Sequence, residues 1–131
     1  MRATAIIVKN NLILLIHRFR GGKEFFVLPG GGVEDNETIE EALIREIKEE
    51  TNYDAKINRK LLERYNEFDD RIHHYFLITD FSGNLQLGGP ELKINSDSDR
   101  YLLEWHRIDE INNLPLKPDV VKTEILSQIE L

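Results

Sequence analysis

The chain has 131 residues, 40% of them apolar, and this length and composition suit one small domain with a single core. It contains no cysteine, which excludes disulfides, thiolate metal sites and a cysteine nucleophile. The formal net charge is −7, and no apolar run approaches the ~20 residues that a membrane helix needs. We therefore expect one domain over residues 1–131, and a cytoplasmic one, because the start of the chain does not resemble a signal peptide.

The elements predicted in chain order begin with short strands. Three strands are favoured early in the chain, at residues 3–8, 12–17 and 25–28, and the third leads into a glycine-rich loop. Thr38 and Glu41 form a capping-box pattern, which predicts a helix that starts near Ile39.

The second half of the chain also mixes the two kinds of element. Three further strands are expected, at residues 54–65, 71–81 and 101–107, and the one at 71–81 is expected to be central. A polar loop at 88–100, a helical turn at 109–113 and a terminal helix at 118–129 complete the prediction. Propensity alone therefore indicates an α+β fold.

The predicted helix carries carboxylates where its apolar stripe would continue. At about 100° per residue, Glu46 and Glu50 fall within the apolar arc and Glu49 falls at its edge. Arg45 points the other way. Like charges on a partly buried face repel and lose hydration, and a cation is the simplest compensation. Oxygen ligands suit Mg²⁺ or Mn²⁺ rather than zinc, although the spacing alone also fits a solvated acidic helix face.

The acidic residues are concentrated in one segment. Residues 34–50 hold eight carboxylates against two basic side chains, which gives a local net charge of −6. Such a surface repels nucleic acid backbones unless a metal ion intervenes. We therefore expect no stable nucleic acid binding, and a phosphorylated small molecule that approaches only with divalent ions bound.

The segment from Gly31 to Tyr53 resembles the signature of the Nudix hydrolases. That signature is a Gly, five residues, a Glu, seven residues, and then Arg-Glu-apolar-any-Glu-Glu-any-Gly-apolar. This chain matches it at every fixed position but one, with Glu37 as the first Glu and Arg45 as the Arg. The one departure is Asn52 in place of the last Gly. That Gly ends the helix in the left-handed conformation, and Asn is the next most tolerant residue there, so the departure removes no catalytic atom.

The resemblance implies the α/β/α sandwich of this family, with a mixed β-sheet between helices. It also implies a pyrophosphohydrolase that depends on Mg²⁺, or on Mn²⁺, and in which water attacks a phosphorus of a diphosphate linkage. The implied substrates are nucleoside diphosphate derivatives and oxidised nucleoside triphosphates. The alternative is a nucleotide- or ADP-ribose-binding regulatory module without catalysis, but the complete set of motif carboxylates favours the enzyme. A prenyl diphosphate isomerase would be expected to carry a Cys.

The resemblance also assigns roles to individual residues. The implied metal ligands are the carboxylates of Glu46, Glu49 and Glu50 and the backbone carbonyl of Gly30. Glu37 and Arg45 are expected to pair and brace the loop against the helix, a role that the outward position of Arg45 also suits. The general base differs within the family, as a motif Glu or an acid in a later loop. Glu91 is our first choice among the later-loop acids Glu91, Asp97 and Asp99, although all three also suit a solvated loop.

Substrate-binding residues are less specified. Arg18, Arg20 and Lys23 lie in a predicted basic loop before the motif, where they would hold distal phosphates or form a solvated hairpin tip. Several aromatic residues, Tyr75 among them, are candidates to stack a base, although such residues are more often part of the core: Phe19, Phe25, Tyr75 and Tyr101. His73 and His74 would point to opposite faces of a strand, so one could line a pocket, but half-exposed positions are the commoner expectation. The sequence does not choose between a monomer and a homodimer.

Overall fold

The computed structural model describes residues 1–86, 99–117 and 121–129, and a mixed β-sheet forms its centre. The strands are β1 Arg2–Lys9, β2 Leu12–Arg20, β3 Lys23–Val27, β4 Gly30–Gly32, β5 Asp54–Asn66, β6 Arg71–Ser82 and β7 Asp99–Arg107. The α-helix α1 spans Ile39–Thr51, a 3₁₀ helix spans Ile108–Asn113 and a π-helical segment spans Val121–Ile125. Within the described ranges, no helix is both long and apolar enough to cross a bilayer.

The strand order is β3-β2-β1-β6-β5, with β4 paired to β1 and β7 paired to β2. β1 and β6 are parallel, and the other strand pairs are antiparallel. β6 lies between β1 and β5, which confirms the prediction that the strand after residue 71 is central. The sheet therefore places the N-terminal end of β1 between the glycine-rich β4 and β6.

Alternate residues of β1 reach two separate cores. One set packs against α1, whereas Ile6 and Val8 on the other face pack with the C-terminal helical segments. The core on the side of α1 includes Ala3, Ala5, Ile7, Leu43 and Ile47, and the opposite core includes Tyr75, Ile111, Leu116, Ile125 and Ile129. Helical segments thus cover both faces of the sheet, as the α/β/α sandwich requires.

The sequence predictions for the glycine-rich segment and for the terminal helix are wrong. The glycine-rich segment is the short strand β4 rather than a loop, because residues without side chains can lie close against β1. An α-helix was expected at 118–129, but residues 121–129 form the π-helical segment and the turns that follow it. Burial of Ile125 and Ile129 against the sheet fixes this segment, so packing decides its conformation rather than helix propensity. Pro118 lies outside the described residues.

Candidate active site

The helix α1 begins and ends as the sequence predicts. Thr38 Oγ1 accepts a hydrogen bond from the Glu41 N–H at 3.1 Å, and Glu41 Oε1 accepts one from the Thr38 N–H at 2.8 Å. At the other end, Asn52 adopts the left-handed conformation with φ 69° and ψ 5°. The helix thereby presents its second half, with the candidate carboxylates, to the edge of the sheet at β4.

Glu50 is the most deeply buried of the candidate ligands. It is 4% exposed, and its Oε1 accepts a hydrogen bond from the backbone N–H of Gly30 at 2.7 Å. Gly30 has a φ of +153°, and a Cβ there would lie 2.2 Å from the carbonyl oxygen of Ala3, so only glycine fits. The contact ties the last turns of α1 to β4, and it places the Gly30 backbone beside a buried carboxylate.

Glu46 lies directly over Gly31. A Cβ at Gly31 would be 2.3 Å from Cδ of Glu46, which is far inside van der Waals contact. The absence of a side chain at Gly31 therefore creates the cradle in which the Glu46 carboxylate sits. Two of the three candidate ligands thus contact consecutive glycines of the same strand.

Arg45 joins several of these groups. Its guanidinium donates to both carboxylate oxygens of Glu37 at 2.7 and 3.1 Å and to the Gly32 carbonyl at 3.1 Å, so the predicted Glu37–Arg45 pair is present. Nη1 also donates to Glu46 Oε1 at 2.8 Å and to Glu49 Oε2 at 3.4 Å. The prediction that Arg45 points away from the candidate ligands is therefore wrong, because its long side chain reaches back across the helix.

The pairing shifts the protonation equilibria of both partners. Hydrogen bonds from the Arg45 guanidinium, and from the backbone N–H of Glu34, hold the pKa of Glu37 below its ordinary value. The hydrogen bond to Glu37 likewise raises the pKa of Arg45, and Glu46 adds to the effect. The brace therefore stays ionised at neutral pH.

The candidate ligands fit a hard divalent cation. In the part of the chain that the structure describes, no three His, Asp or Glu side chains already lie close enough together to hold a metal ion. The donor set nevertheless consists of oxygens alone, the Gly31 cradle holds Glu46 close to β4, and Glu49 is exposed enough to rotate towards it. Such a set suits Mg²⁺ or Mn²⁺ and does not suit zinc.

Of the basic residues named from the sequence, Arg18 lies elsewhere than expected, whereas Arg20 and Lys23 lie at the hairpin tip that was the alternative. Arg18 is in β2 rather than in a loop and is only 5% exposed. Its Nη2 lies 3.0 Å from Asp99 Oδ1, and its guanidinium stacks 3.5 Å from the centroid of the Tyr101 ring. Arg20 and Lys23 face each other at the exposed tip of the β2–β3 hairpin. Two turn glycines let β2 run on to Arg20, so the three residues do not form one basic loop.

The later-loop candidates for the general base are only partly placed. Asp99 pairs with Arg18, a contact that holds it on β7. Glu91 and Asp97 lie outside the described residues. The choice of general base therefore stays a prediction.

Tyr75, the remaining candidate for substrate binding, lines a cavity on the sheet face opposite to α1. Tyr75 is 1% exposed, and burial raises the pKa of its phenol to about 12.

His73 also lines this cavity, whereas His74 lies on the α1 side next to Ala3, so the two rings do face opposite sides. Both histidines are buried, which contradicts the expectation of half-exposed positions, because β6 is covered on both faces. Burial lowers the pKa of His74.

Sequence reasoning missed most of the residues that line this cavity. They lie on or next to three distant strands, in one turn and in the segment after the 3₁₀ helix: Arg2, Thr4, Val27, Leu28, Asn66, Phe68, Asp69 and Lys117. The only local signal is Phe68, an aromatic residue within the acidic turn between two strands.

Comparisons with known proteins agree on one family. The NUDIX domain model matches residues 1–126 of this chain. The ADP-ribose pyrophosphatase of Methanocaldococcus jannaschii is 40% identical over 111 residues, which cover 84% of this chain and 61% of that protein. The 8-oxo-dGTP diphosphatase of Proteus vulgaris is 36% identical over 89 residues, or 63% of this chain and 78% of that protein. This chain thus spans less than two thirds of the archaeal relative's length.

Solved structures share the fold. The crystal structure of a MutT NUDIX hydrolase from Burkholderia pseudomallei superposes with a TM-score of 0.73 at 26% identity, over 98% of this chain and 96% of that one. An ADP compounds hydrolase also reaches a TM-score of 0.73, at 15% identity, over 97% of this chain and 70% of that one. At that lower identity the likeness shows the fold alone.

Proposed function

Because the chain belongs to the Nudix family, we propose that it hydrolyses a diphosphate linkage in a nucleotide with the help of a divalent cation. The observation that carries the proposal is the gathering of the α1 carboxylates at β4. Glu50 bonds the Gly30 N–H, and Glu46 fills the cradle that Gly31 leaves. Holding acidic side chains against each other and against a strand without side chains costs free energy, through desolvation and charge repulsion. A non-catalytic binding module would gain nothing from this arrangement, whereas a cation site would.

The cation site would use Glu46, Glu49 and Glu50 with the backbone carbonyl of Gly30. Mg²⁺ is our first choice and Mn²⁺ our second, since both prefer oxygen ligands. When bound, a divalent ion would neutralise charge on the phosphate oxygens and lower the pKa of a bound water. Arg45 holds Glu46 and the Gly32 carbonyl in place from the side, and Glu37 fixes the guanidinium of Arg45.

The reaction would be the attack of water on a phosphorus of the diphosphate linkage, which breaks the bond from that phosphorus to the bridging oxygen, so that the other phosphate leaves with this oxygen. A motif carboxylate or Glu91 would act as the general base that takes the proton of the water. The substrates would be nucleoside diphosphate derivatives or oxidised nucleoside triphosphates. The names of the two relatives, an ADP-ribose pyrophosphatase and an 8-oxo-dGTP diphosphatase, support these classes. Arg18 would bind a distal phosphate through Nη1, for which the described residues offer no hydrogen-bond acceptor, with Arg20 and Lys23 further out.

The proposed partner is a small nucleotide rather than a nucleic acid. The acidic segment around α1 repels polyanions, and a short phosphate chain with its cation brings far less negative charge to the site. We also propose a cytoplasmic location, because a chain without cysteine forms no disulfides and so needs no oxidising compartment.

The test is a hydrolysis screen with Mg²⁺ over ADP-ribose, 8-oxo-dGTP and a dinucleoside polyphosphate. Coupling to inorganic pyrophosphatase detects released pyrophosphate, and a separate coupling to a phosphatase detects newly exposed monoesters. We expect turnover of at least one class, abolished by a chelator. Binding of these compounds without any turnover would instead support the non-catalytic nucleotide-binding module.

A further inference from the structure

His74 is a buried ionisable residue that the proposed active site does not use. Only 5% of the residue is exposed, and its side chain lies on the face of β6 that carries Phe76 and Ile78, which α1 covers. In the sheet it pairs with Ala3 of β1 on one side and with Glu63 of β5 on the other. The imidazole therefore lies within the apolar layer that joins the sheet to α1.

Neither ring nitrogen of His74 is satisfied in this layer. Both nitrogens are almost inaccessible to water, and neither has a hydrogen-bond partner among the residues that the structure describes. Nδ1 lies 3.6 Å from Oε2 of Glu63, which is too far for a hydrogen bond. Such a ring is tolerated only while it carries no charge, because an imidazolium loses far more hydration free energy on burial than a neutral ring does.

Charged groups on three sides act on the protonation of His74. Burial lowers the pKa of His74 from its ordinary value of 6.5, and the ammonium of Lys60 on β5 and the N-terminal amine before β1 act in the same direction. Glu63 on β5 and Glu40 in the first turn of α1 act in the opposite direction but do not outweigh burial. The ring is therefore neutral at neutral pH and gains a proton in the folded protein only in acid.

A proton on this ring would disturb the contact between the sheet and α1. A charged imidazole needs an acceptor or water, and the half-exposed carboxylate of Glu63 offers both at the margin of the apolar layer. The ring can reach that carboxylate only by turning out of the layer. The volume that it vacates lies on the face of the sheet that α1 covers, and close-packed interiors tolerate such voids poorly.

We propose that His74 is an acid-sensitive latch, in which the neutral ring holds α1 on the sheet and the protonated ring releases it. α1 also carries the carboxylates of the candidate cation site, so the same proton would loosen that site. The contribution of the latch to stability is complete above the ordinary pKa of ~6.5 and is lost as pH falls through the lowered pKa of the folded protein. The latch is a property of the fold, and it does not depend on the proposed hydrolase function.

The first test follows the imidazole resonances of the parent by NMR as the pH is lowered from 8 to 5. The spectrum of His74→Phe identifies the signal of His74, because that signal alone is missing from it. We expect His74 to titrate below the ordinary value for histidine. Titration at or above that value would overturn the latch.

The second test compares the melting temperatures of the parent and of His74→Phe between pH 7.5 and pH 5. Phe keeps a ring in the apolar layer but cannot gain a proton, so the variant should lose clearly less stability in acid than the parent. The other histidines are common to both proteins, and the Glu37–Arg45 pair titrates in stronger acid, so neither contributes to the difference. If the two proteins differed by the same amount at every pH, the role of His74 would be structural only and the latch would be rejected.

Lys60→Gln and Glu63→Gln are matched variants that leave His74 in place. Both side chains are exposed, and they lie three residues apart on β5. Lys60→Gln removes a cation that lowers the pKa of His74, so the loss of stability in acid should become smaller. Glu63→Gln removes an anion that raises this pKa, so the loss should become larger. A shift in the same direction in both variants would contradict the latch.

Hydrogen exchange measured by mass spectrometry shows whether α1 is the element that is released. After correction for the intrinsic exchange rates, lowering the pH from 7.5 to 5.5 should reduce the protection of the α1 amides at least ~3-fold more in the parent than in His74→Phe. An equal change in both proteins would overturn the release of α1. These measurements need neither substrate nor metal, so failure of the latch and failure of the proposed hydrolase activity are separate results.

Discussion

Glu46 and Gly31 are packed so closely that any side chain at Gly31 would occupy the space of the Glu46 carboxylate, whose Cδ lies 2.3 Å from the position of a Cβ. Gly31→Ala should therefore displace this carboxylate and lower kcat at least ~10-fold, because even small misplacement of catalytic groups is costly. Gly32→Ala is the matched control. A Cβ there meets only Arg71 Nη1, at an ordinary 3.5 Å, so this variant should keep most of the activity. Equal turnover in the two variants would show that the cradle does not matter.

Arg45 is the next residue whose replacement should have a distinct effect. Arg45→Ala removes the hydrogen bonds to Glu37, Glu46 and the Gly32 carbonyl, so both the melting temperature and the turnover should fall. Arg45→Lys keeps the charge without the planar fork and should recover only part of each. Thermal melts and steady-state kinetics are measured on the same samples. An Arg45→Ala protein that melts like the parent but has no activity would mean that Arg45 contacts the substrate instead.

The Glu37–Arg45 pair should also make stability depend on pH in the acid range. Since the pKa of Glu37 is lower in the folded protein, its contribution is present above the ordinary Glu value of ~4.3 and is lost as pH falls through the lowered pKa. Urea melts of the parent and of Glu37→Gln should therefore differ at pH 7 and converge towards pH 3. A difference that stayed constant over this range would contradict the ionised pair.

The sequence was most informative about α1, because its signals are local. The Thr38 capping box and the tolerance of Asn52 for the left-handed conformation predicted both ends of the helix. The predicted contact of Arg45 with Glu37 is also present. These features depend on residues within one or two helical turns, and their geometry follows from the helical repeat.

Contacts that depend on pairing between distant strands could not be predicted from the sequence. Arg18 was expected in a loop, but β2 continues beyond it and β7 brings Asp99 to its guanidinium. The cavity needs β1, β3 and β6 to meet at one end, and no local pattern encodes that meeting. The direction of a long side chain such as Arg45 is likewise set by its tertiary partners rather than by its place on a helical wheel.

Asn52 offers a test of the helix end. Asn52→Gly relieves strain worth up to ~1 kcal/mol but loses the hydrogen bond from Asn52 Nδ2 to the Asn84 carbonyl, at 2.9 Å, of similar worth, so its net effect should be small. Asn52→Val should destabilise by roughly 1 to 2 kcal/mol, because a β-branched residue resists this conformation. Denaturant melts measure both. If Val proved as stable as Gly, the left-handed end of α1 would be wrong.

The most direct test of the hydrolase proposal is the turnover of Glu49→Gln and Glu50→Gln with Mg²⁺ on the best substrate of the screen. Each change keeps the shape of the side chain and removes one negative charge from the proposed cation site. We predict a fall in kcat of at least ~10²-fold in each, the scale of losing one transition-state stabiliser. Glu40→Gln, an exposed Glu in the first turn of the same helix, is the control and should turn over like the parent. Near-parent activity in both Glu49→Gln and Glu50→Gln would contradict the proposal that these carboxylates hold the catalytic cation.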